Sequence, residues 1–211
     1  MKFGTFLAAA AIAVAAPVAM QAPAAAQDAA ATPAQQKAAA DFITRLSNDA
    51  FAVLRDKSLS KDQARVKFRD LLRGNFAVDE TGMRLIRRYR APNSPVKLTP
   101  QQIDAYRAAL PGFLVNTYSD RLYDFASSKV TVVRTAPRGS RGDVDVFTRI
   151  TDPKGGKPID AVWQVSAGAK PLVSNITVNG VNVALTQEQD FSAYIDKNGF
   201  DALVDFMRKS K

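Results

Sequence analysis

Residues 143–152 read Asp-Val-Asp-Val-Phe-Thr-Arg-Ile-Thr-Asp and residues 158–167 read Pro-Ile-Asp-Ala-Val-Trp-Gln-Val-Ser-Ala, with Lys154-Gly155-Gly156 between them. Successive side chains on a strand point to opposite faces. Val144, Val146, Thr148 and Ile150 therefore share one side of the first segment, and Ile159, Ala161, Trp163 and Val165 one side of the second. The glycine pair predicts a reversal between them. Similar period-two runs occupy residues 129–136 and 172–183, set off by Arg138-Gly139-Ser140-Arg141-Gly142 and Gly168-Ala169-Lys170-Pro171. Short turns between successive strands imply an antiparallel meander. Leu172, Ile176 and Val178 carry the apolar face onto the fourth strand. A sheet with one apolar face needs a cover.

The cover is written on both sides of the strands. Thr32-Pro33-Ala34-Gln35 is a capping box with proline at the first helical position, and Phe42, Ile43, Leu46, Ala50, Val53 and Leu54 follow at helical spacing. Ser60-Lys61-Asp62-Gln63 repeats the box for a second helix, with Ala64, Phe68, Leu71 and Leu72 on its apolar side and Gly74 as its stop. An extended piece, residues 75–78, leads to Asp79 as the expected cap of a third helix carrying Met83, Ile86 and Tyr89. The loop 91–98 holds two prolines. Thr99-Pro100-Gln101-Gln102 opens the most apolar helix, with Ile103, Tyr106, Leu110, Phe113, Leu114, Tyr118, Leu122 and Phe125. Pro111-Gly112 in its middle predicts a kink or a break. Two short helices, residues 187–196 and 200–209, close the chain around Lys197-Asn198-Gly199. Helices, then a sheet, then helices is the order of an α+β fold: N-terminal helices and a C-terminal helical tail packed on an antiparallel, roughly four-stranded twisted sheet.

Residues 1–26 have the form of a cleaved signal peptide: Lys2, an apolar stretch from Phe6 to Val18, then Ala24-Ala25-Ala26. The stretch is shorter than the ~20 residues a spanning helix needs. Residues 27–31 are expected to be disordered, and 32–211 to form one domain. The chain has no cysteine and no histidine. That excludes disulfides, thiolate metal sites, thiol nucleophiles and lipidation at cysteine, and removes the commonest general base. The net charge of +9 becomes +8 without Lys2. A basic exported protein is suited to acidic partner surfaces or anionic headgroups, and export makes nucleic acid an unsuitable partner.

The order Thr99-Pro100-Gln101-Gln102, then Phe113, Leu114, Tyr118, Leu122 and Phe125, then Gly142-Asp143-Val144-Asp145-Val146 with Thr148, resembles one known family. So do Gly156-Lys157-Pro158, a strand ending near Val165, Ile176-Thr177-Val178-Asn179-Gly180-Val181, and the tail residues Phe191, Ile195, Gly199, Leu203 and Phe206. The pattern is similar to the MlaC family of periplasmic phospholipid-binding proteins, also called the toluene-tolerance auxiliary family. The chain departs from the family pattern at Pro171-Leu172, at Arg90 and at Pro111-Gly112, positions that bear on pocket shape and cargo more than on fold.

The resemblance implies a soluble shuttle with no cofactor and no catalytic residue. It would hold a glycerophospholipid's acyl chains in an apolar cavity between sheet and helices. Its partners would be an inner-membrane ABC transporter complex with its substrate-binding subunit and an outer-membrane lipoprotein-porin complex, and its work the maintenance of outer-membrane lipid asymmetry. A related branch of the family sits with hopanoid transport. The residues expected to line the cavity are Leu110, Phe113, Leu114 and Tyr118 from the long helix, with Val144, Val146, Trp163, Val165, Ile176 and Val178 from the sheet. The same residue types also build ordinary cores. Arg84, Arg87, Arg88 and Arg90 form the clearest charge cluster, either a solvated helix face or a docking surface for acidic partners. The chain lacks the G-x-x-x-x-G-K-[ST] phosphate loop, so directionality would come from a partner that hydrolyses ATP. Two other readings remain open: a small enzyme using Asp143, Asp145 or Asp160 as base, against which the missing histidine argues, and an envelope adaptor without lipid cargo.

Overall fold

The computed structural model describes residues 29–210 except Pro95 and Asp124, without the side chains of residues 119–122. The expected signal peptide, residues 27 and 28, and the side chain of Leu122 lie outside the described residues. The elements are α1 (Pro33–Arg55), α2 (Lys61–Asn75), α3 (Val78–Leu85), α4 (Arg87–Arg90), α5 (Pro100–Tyr123), β1 (Lys129–Arg138), β2 (Asp143–Thr151), β3 (Ile159–Ser166), β4 (Leu172–Val178), β5 (Val181–Asn182), α6 (Val183–Asn198) and α7 (Phe200–Lys209). The strands form one antiparallel meander in the order β1-β2-β3-β4-β5. The α+β class is as the sequence order required.

Local chemistry explains the boundaries. Thr32 and Ser60 close complete capping boxes with Gln35 and Gln63, and Thr99 and Gln102 bond reciprocally at the start of α5. Gly74 lies inside α2, which ends one residue later. The third helix starts at Val78 without a side-chain cap, because the Asp79 carboxylate pairs with Arg107 of α5 at 2.8 Å. Its start is fixed by the edge of β4 instead: Phe76 bridges Val173 and the Ala77 N–H donates to the Val173 carbonyl. The helix then breaks at the fully buried Ile86, giving the single turn of α4.

Three further expectations are corrected. The run 172–183 is two strands, because Asn179 and Gly180 both have positive φ and form a tight reversal into β5, a fifth strand. The last helical pair begins earlier, at Val183, with Asn182 accepting from the Leu185 N–H as its cap. Pro111 does not divide the long helix: α5 runs unbroken from Pro100 to Tyr123. An interior proline costs about 3 kcal/mol. Leu110 and Phe113 bury into one cluster and Val115 into another. At about 1.5–3 kcal/mol per fully buried apolar side chain, their packing outweighs the lost hydrogen bond.

Three apolar clusters hold the fold together. α1 lays Ala39, Phe42, Ile43 and Leu46 on Val144, Val146, Val165 and Val173 of the sheet. Ala31 joins that cluster and the Ala29 carbonyl accepts from the Gly142 N–H at 3.0 Å, so residues 29–31 lie along the sheet instead of being disordered. The second cluster joins α3, α4, α5, α6 and α7, and the third joins α1, α2 and α5. In the second, α3 approaches α5 so closely that a β-carbon on Gly82 would meet Leu110 Cδ2 at 2.3 Å. Tyr106 OH donates to the Gly82 carbonyl at 3.0 Å across that contact, and burial pushes its phenol far above its ordinary pKa. Tyr106→Phe should therefore lower stability by about 1 kcal/mol. A urea midpoint equal to wild type would show that the hydroxyl contributes nothing.

Candidate functional site

The inner face of the sheet is a set of cross-strand rows. Pro137, Val144, Val165 and Val173 form the first; Thr135, Val146, Trp163 and Ile176 the second; Val132, Thr148, Ala161, Val178 and Val181 the third; Val130, Ile150 and Ile159 the last. A bulge in β4 at Ser174 puts Val173, and not Leu172, on this face together with Ile176 and Val178. α1 covers the first two rows, and Val146 is 0 % exposed.

Beyond these α1 residues the cover is partial: Thr148 and Ala161 of the third row are buried and Val130 of the last packs against the third cluster. Ile150, Ile159 and Val178 are half-buried, Val181 is 57 % exposed, and none of the four packs into the three clusters among the described residues. Trp163 lies at the boundary. Its indole Nε1 donates to the buried Thr148 Oγ1 at 2.9 Å, and that hydroxyl donates onward to the Ala161 carbonyl at 3.4 Å. This chain satisfies the polar atoms and lays the indole on the apolar face. On the strand edge, α6 runs from β5 and packs against β4. Its buried Gln187 accepts from Tyr118 OH of α5 at 3.2 Å, tying the two helices together.

The predicted lining residues are therefore divided. Val144, Val146 and Val165 lie under α1; Trp163 and Ile176 stand at the edge of that cover; Val178 is in the open half. Leu110 and Phe113 are buried among helices, with Leu114 at the margin, and Phe113 packs on Phe191 and Phe206 at ring separations of 5.6 and 5.9 Å. Tyr118 bridges α5 and α6. Ile150 and Ile159 belong with Val178, and their parity along the strands was already visible. Val181 and Gln187 were missed because the reversal at Asn179-Gly180 and the earlier start of α6 were missed. Two clefts sit elsewhere: one of about 220 Å³ bounded by Tyr89, Lys97, Leu98 and Ile103, and one of about 180 Å³ bounded by Met83, Arg107, Leu110 and Pro111. Both are below the ~300 Å³ at which pockets for drug-sized ligands begin.

The arginine cluster bonds within the chain. Arg84 donates to Thr81 Oγ1 and the Ser174 carbonyl, both at 2.9 Å, and Arg90 to the Met83 carbonyl at 3.4 Å. Arg87 pairs with Glu188 and Arg88 with Asp196, each at 2.8 Å, and both arginines stay exposed. These bonds fasten α3 and α4 to β4 and α6. Tyr89 OH adds a bond to Asp196 at 2.7 Å; that hydrogen bond, then Arg88, hold the carboxyl below its ordinary pKa of 3.8.

The candidate bases are held ionised or bonded on the outer face of the sheet. Arg149 grips Asp160 with two bonds, at 2.8 and 3.1 Å, and depresses its pKa. Arg138 lies 3.3 Å from Asp145, and Asp143 accepts from the Ala167 N–H at 2.8 Å. None faces a cleft. Among the described residues, no three acidic side chains are grouped so as to hold a metal ion.

The family model for MlaC protein matches residues 44–209. The chain belongs to the MlaC family. The match opens inside α1 and spans every later element, so the inner face of the sheet and the α5–α6 tie are within the MlaC region, while Ala39, Phe42 and Ile43 of the α1 cover precede it. Among solved structures, the chain is similar to the phospholipid-binding protein from Ralstonia solanacearum in complex with a phospholipid, with a TM-score of 0.66 and 18 % identity over 82 % of this chain and 96 % of that one. At that identity the likeness establishes the fold. No curated protein sequence matches the chain.

Asp196 gives this region a pH signature. A carboxyl with a depressed folded pKa contributes stability above its unfolded pKa, and the contribution is lost as pH falls through the folded value. Wild type should lose more stability between pH 6 and pH 3, values bracketing the ordinary carboxylate pKa of about 3.9, than Asp196→Asn does. Parallel thermal melts at the two pH values check this; equal losses would remove Asp196 from the account.

Proposed function

We propose that this MlaC-family protein is a carrier that binds a phospholipid by its acyl chains on the open half of the inner sheet face. The observation that supports it most is the partly exposed apolar surface of Ile150, Ile159, Val178 and Val181, beyond the α1 residues that pack on the sheet. The family membership and the phospholipid held by the Ralstonia solanacearum protein of the same fold support it as well. Neither of these two clefts, of about 220 and 180 Å³, accommodates two acyl chains; on this reading loading widens the space between the sheet and the helical layer of α5 and α6. In the loaded state, Trp163, Ile176 and Val178 would floor the cavity, with Tyr118 and Leu114 opposite. Leu110, Phe113, Val144, Val146 and Val165 would support them from behind.

The carrier needs no catalyst or cofactor. Exposing two acyl chains to water costs about 0.8 kcal/mol per methylene, on the order of 20 kcal/mol in all, which makes unassisted passage negligible. An apolar face comparable to a bilayer interior makes pick-up and release nearly neutral. On this reading the mature protein works in the periplasm. It moves lipid between an outer-membrane lipoprotein-porin complex and an inner-membrane ABC transporter with its substrate-binding subunit, and so maintains outer-membrane asymmetry. Arg87 and Arg88, exposed although paired, are the members of the cluster still able to meet an acidic partner. A second reading, an envelope adaptor without cargo, draws on the small size of the two clefts.

Native mass spectrometry of the protein purified from bacterial periplasm, with lipid extraction, separates the two readings: a stoichiometric phospholipid is expected, and protein consistently empty would sink the carrier. Ile150→Asp and Val178→Asp, at half-buried positions, should abolish lipid retention while leaving a folded protein. Val146→Asp, beneath α1, should unfold it. Trp163 is the only tryptophan in the chain. Phospholipids brominated along their acyl chains should quench its fluorescence, and emission indifferent to them would place the chains elsewhere.

A further inference from the structure

The open half of the inner face runs out at one end of the sheet, and that end has its own chemistry. The start of β1, the β2–β3 turn and the β4–β5 turn all lie there: Lys129 pairs with Thr151, Ile150 with Ile159, and the Asn179 N–H donates to the Asp160 carbonyl. The β2–β3 turn is Asp152-Pro153-Lys154-Gly155-Gly156-Lys157-Pro158. Gly155 and Gly156 have φ of 94° and 115°, which L side chains rarely adopt, so the pair permits a sharp tip with a lysine on either side. Across from it, Val181 and Leu185 are 57 % and 48 % exposed, separated by one turn of chain.

Charge at this end is unbalanced. Asp160 is neutralised by Arg149, and the Asp152 carboxylate, which accepts from the Lys154 backbone N–H, is one negative charge against three lysines. Lys129, Lys154 and Lys157 have no ion-pair partner among the described residues. Three free ammonium groups thus lie along this end of the sheet, Lys129 on the β1 edge and Lys154 and Lys157 in the β2–β3 turn, with the exposed Val181 and Leu185 toward the β5 edge. Two chemistries must be met together there: fixed negative charge and hydrocarbon just beneath it. A bilayer containing anionic phospholipid presents both, with basic residues drawn to the headgroups and aliphatic ones to the acyl boundary.

We infer that this end of the sheet docks directly on an anionic phospholipid surface, with Lys154 and Lys157 on the headgroups and Leu185 inserted below them. The inference rests on the carrier reading, which makes this end the mouth through which acyl chains pass. Docking with the mouth against the bilayer keeps the chains out of water during transfer.

The test is flotation of the mature protein with protein-free vesicles. Wild type is expected to float with vesicles of phosphatidylethanolamine and phosphatidylglycerol, to stay behind with phosphatidylcholine vesicles, and to be released by ~0.5 M salt, which screens surface charge. Lys154→Glu with Lys157→Glu should weaken partitioning by at least about tenfold. Leu185→Asp should weaken it too. Arg141→Glu with Lys170→Glu makes the same change in net charge in the turns at the opposite end of the sheet, and should retain binding. Failure of wild type to float, or equal loss in both double variants, overturns the inference. Bound phospholipid is assayed on the same preparations, and the Lys154/Lys157 double variant should still carry it. Wild type that carries lipid but does not float defeats only the docking. Wild type that floats without ever carrying lipid defeats the carrier reading and upholds the docking.

Discussion

Burial of α1 on the sheet is the contact on which the rest of the molecule depends. Ile43 and Val146 are both completely withdrawn from solvent in one cluster, with Val144, Val165 and Val173 around them. Fully burying a side chain of this kind stabilises by about 1.5–3 kcal/mol, so the contact is strong for its size. It is also local. α1 supplies its sheet-facing residues from Ala39 to Leu46, then turns its later residues, Phe51 and Leu54, toward α2 and α5. The inner face is therefore fully covered where the valines are packed closest and only partly covered farther along the same strands, at Ile150, Ile159 and Val178.

That division gives the fold a rigid part and a part that can yield. The rigid part is the α1–sheet contact together with the bundle of α3 to α7, where Tyr106, Phe113, Phe191 and Phe200 interlock as aromatic pairs. The α1–sheet contact and the bundle are joined along β4. There Phe76 and Ala77 bond Val173, Thr81 and Arg84 bond the Ser174 carbonyl, and Arg87 and Arg88 fasten α4 to α6. These are hydrogen bonds and exposed ion pairs, worth much less apiece than the apolar clusters they connect. On the carrier reading, parting the helical layer from the open half of the sheet would leave the α1–sheet cluster and the α3–α7 cluster intact and would draw on the contact of Val130 with the third.

Most of the fold was legible because its signals are local. Three capping boxes, four period-two runs and the glycine turns are each set by residues a few positions apart, and the elements they predict are present. What failed was decided across the chain. Asp79 has the residue type of a cap, yet its carboxylate is drawn to Arg107, twenty-eight positions on. Pro111 signals a break, yet packing on both sides of it holds the helix. The bulge at Ser174 exchanges Leu172 for Val173 on the inner face, and no periodicity count anticipates an extra residue. Asn179-Gly180 was the exception: a strong hairpin signal in the sequence itself, hidden inside an otherwise continuous apolar run.

The candidate site was legible to the same limit. Residue type could select the apolar positions, but not which of them another element covers. Val146 and Val178 are equivalent by sequence, on the same face and in neighbouring cross-strand rows, and differ because the sheet-facing residues of α1 reach one and not the other. On the carrier reading, the physical distinction between core and binding surface is thus the extent of the α1 stripe that faces the sheet. A longer sheet-facing stripe on α1 would bury Ile150, Ile159 and Val178 and give a more stable protein with no open apolar face. A carrier has the opposite requirement. Its binding surface must remain nearly as favourable to an acyl chain as a bilayer interior, and no more so, or the lipid would never leave. Half-buried aliphatic side chains on a well-braced sheet meet that requirement, because the bracing supplies the stability that the open half forgoes.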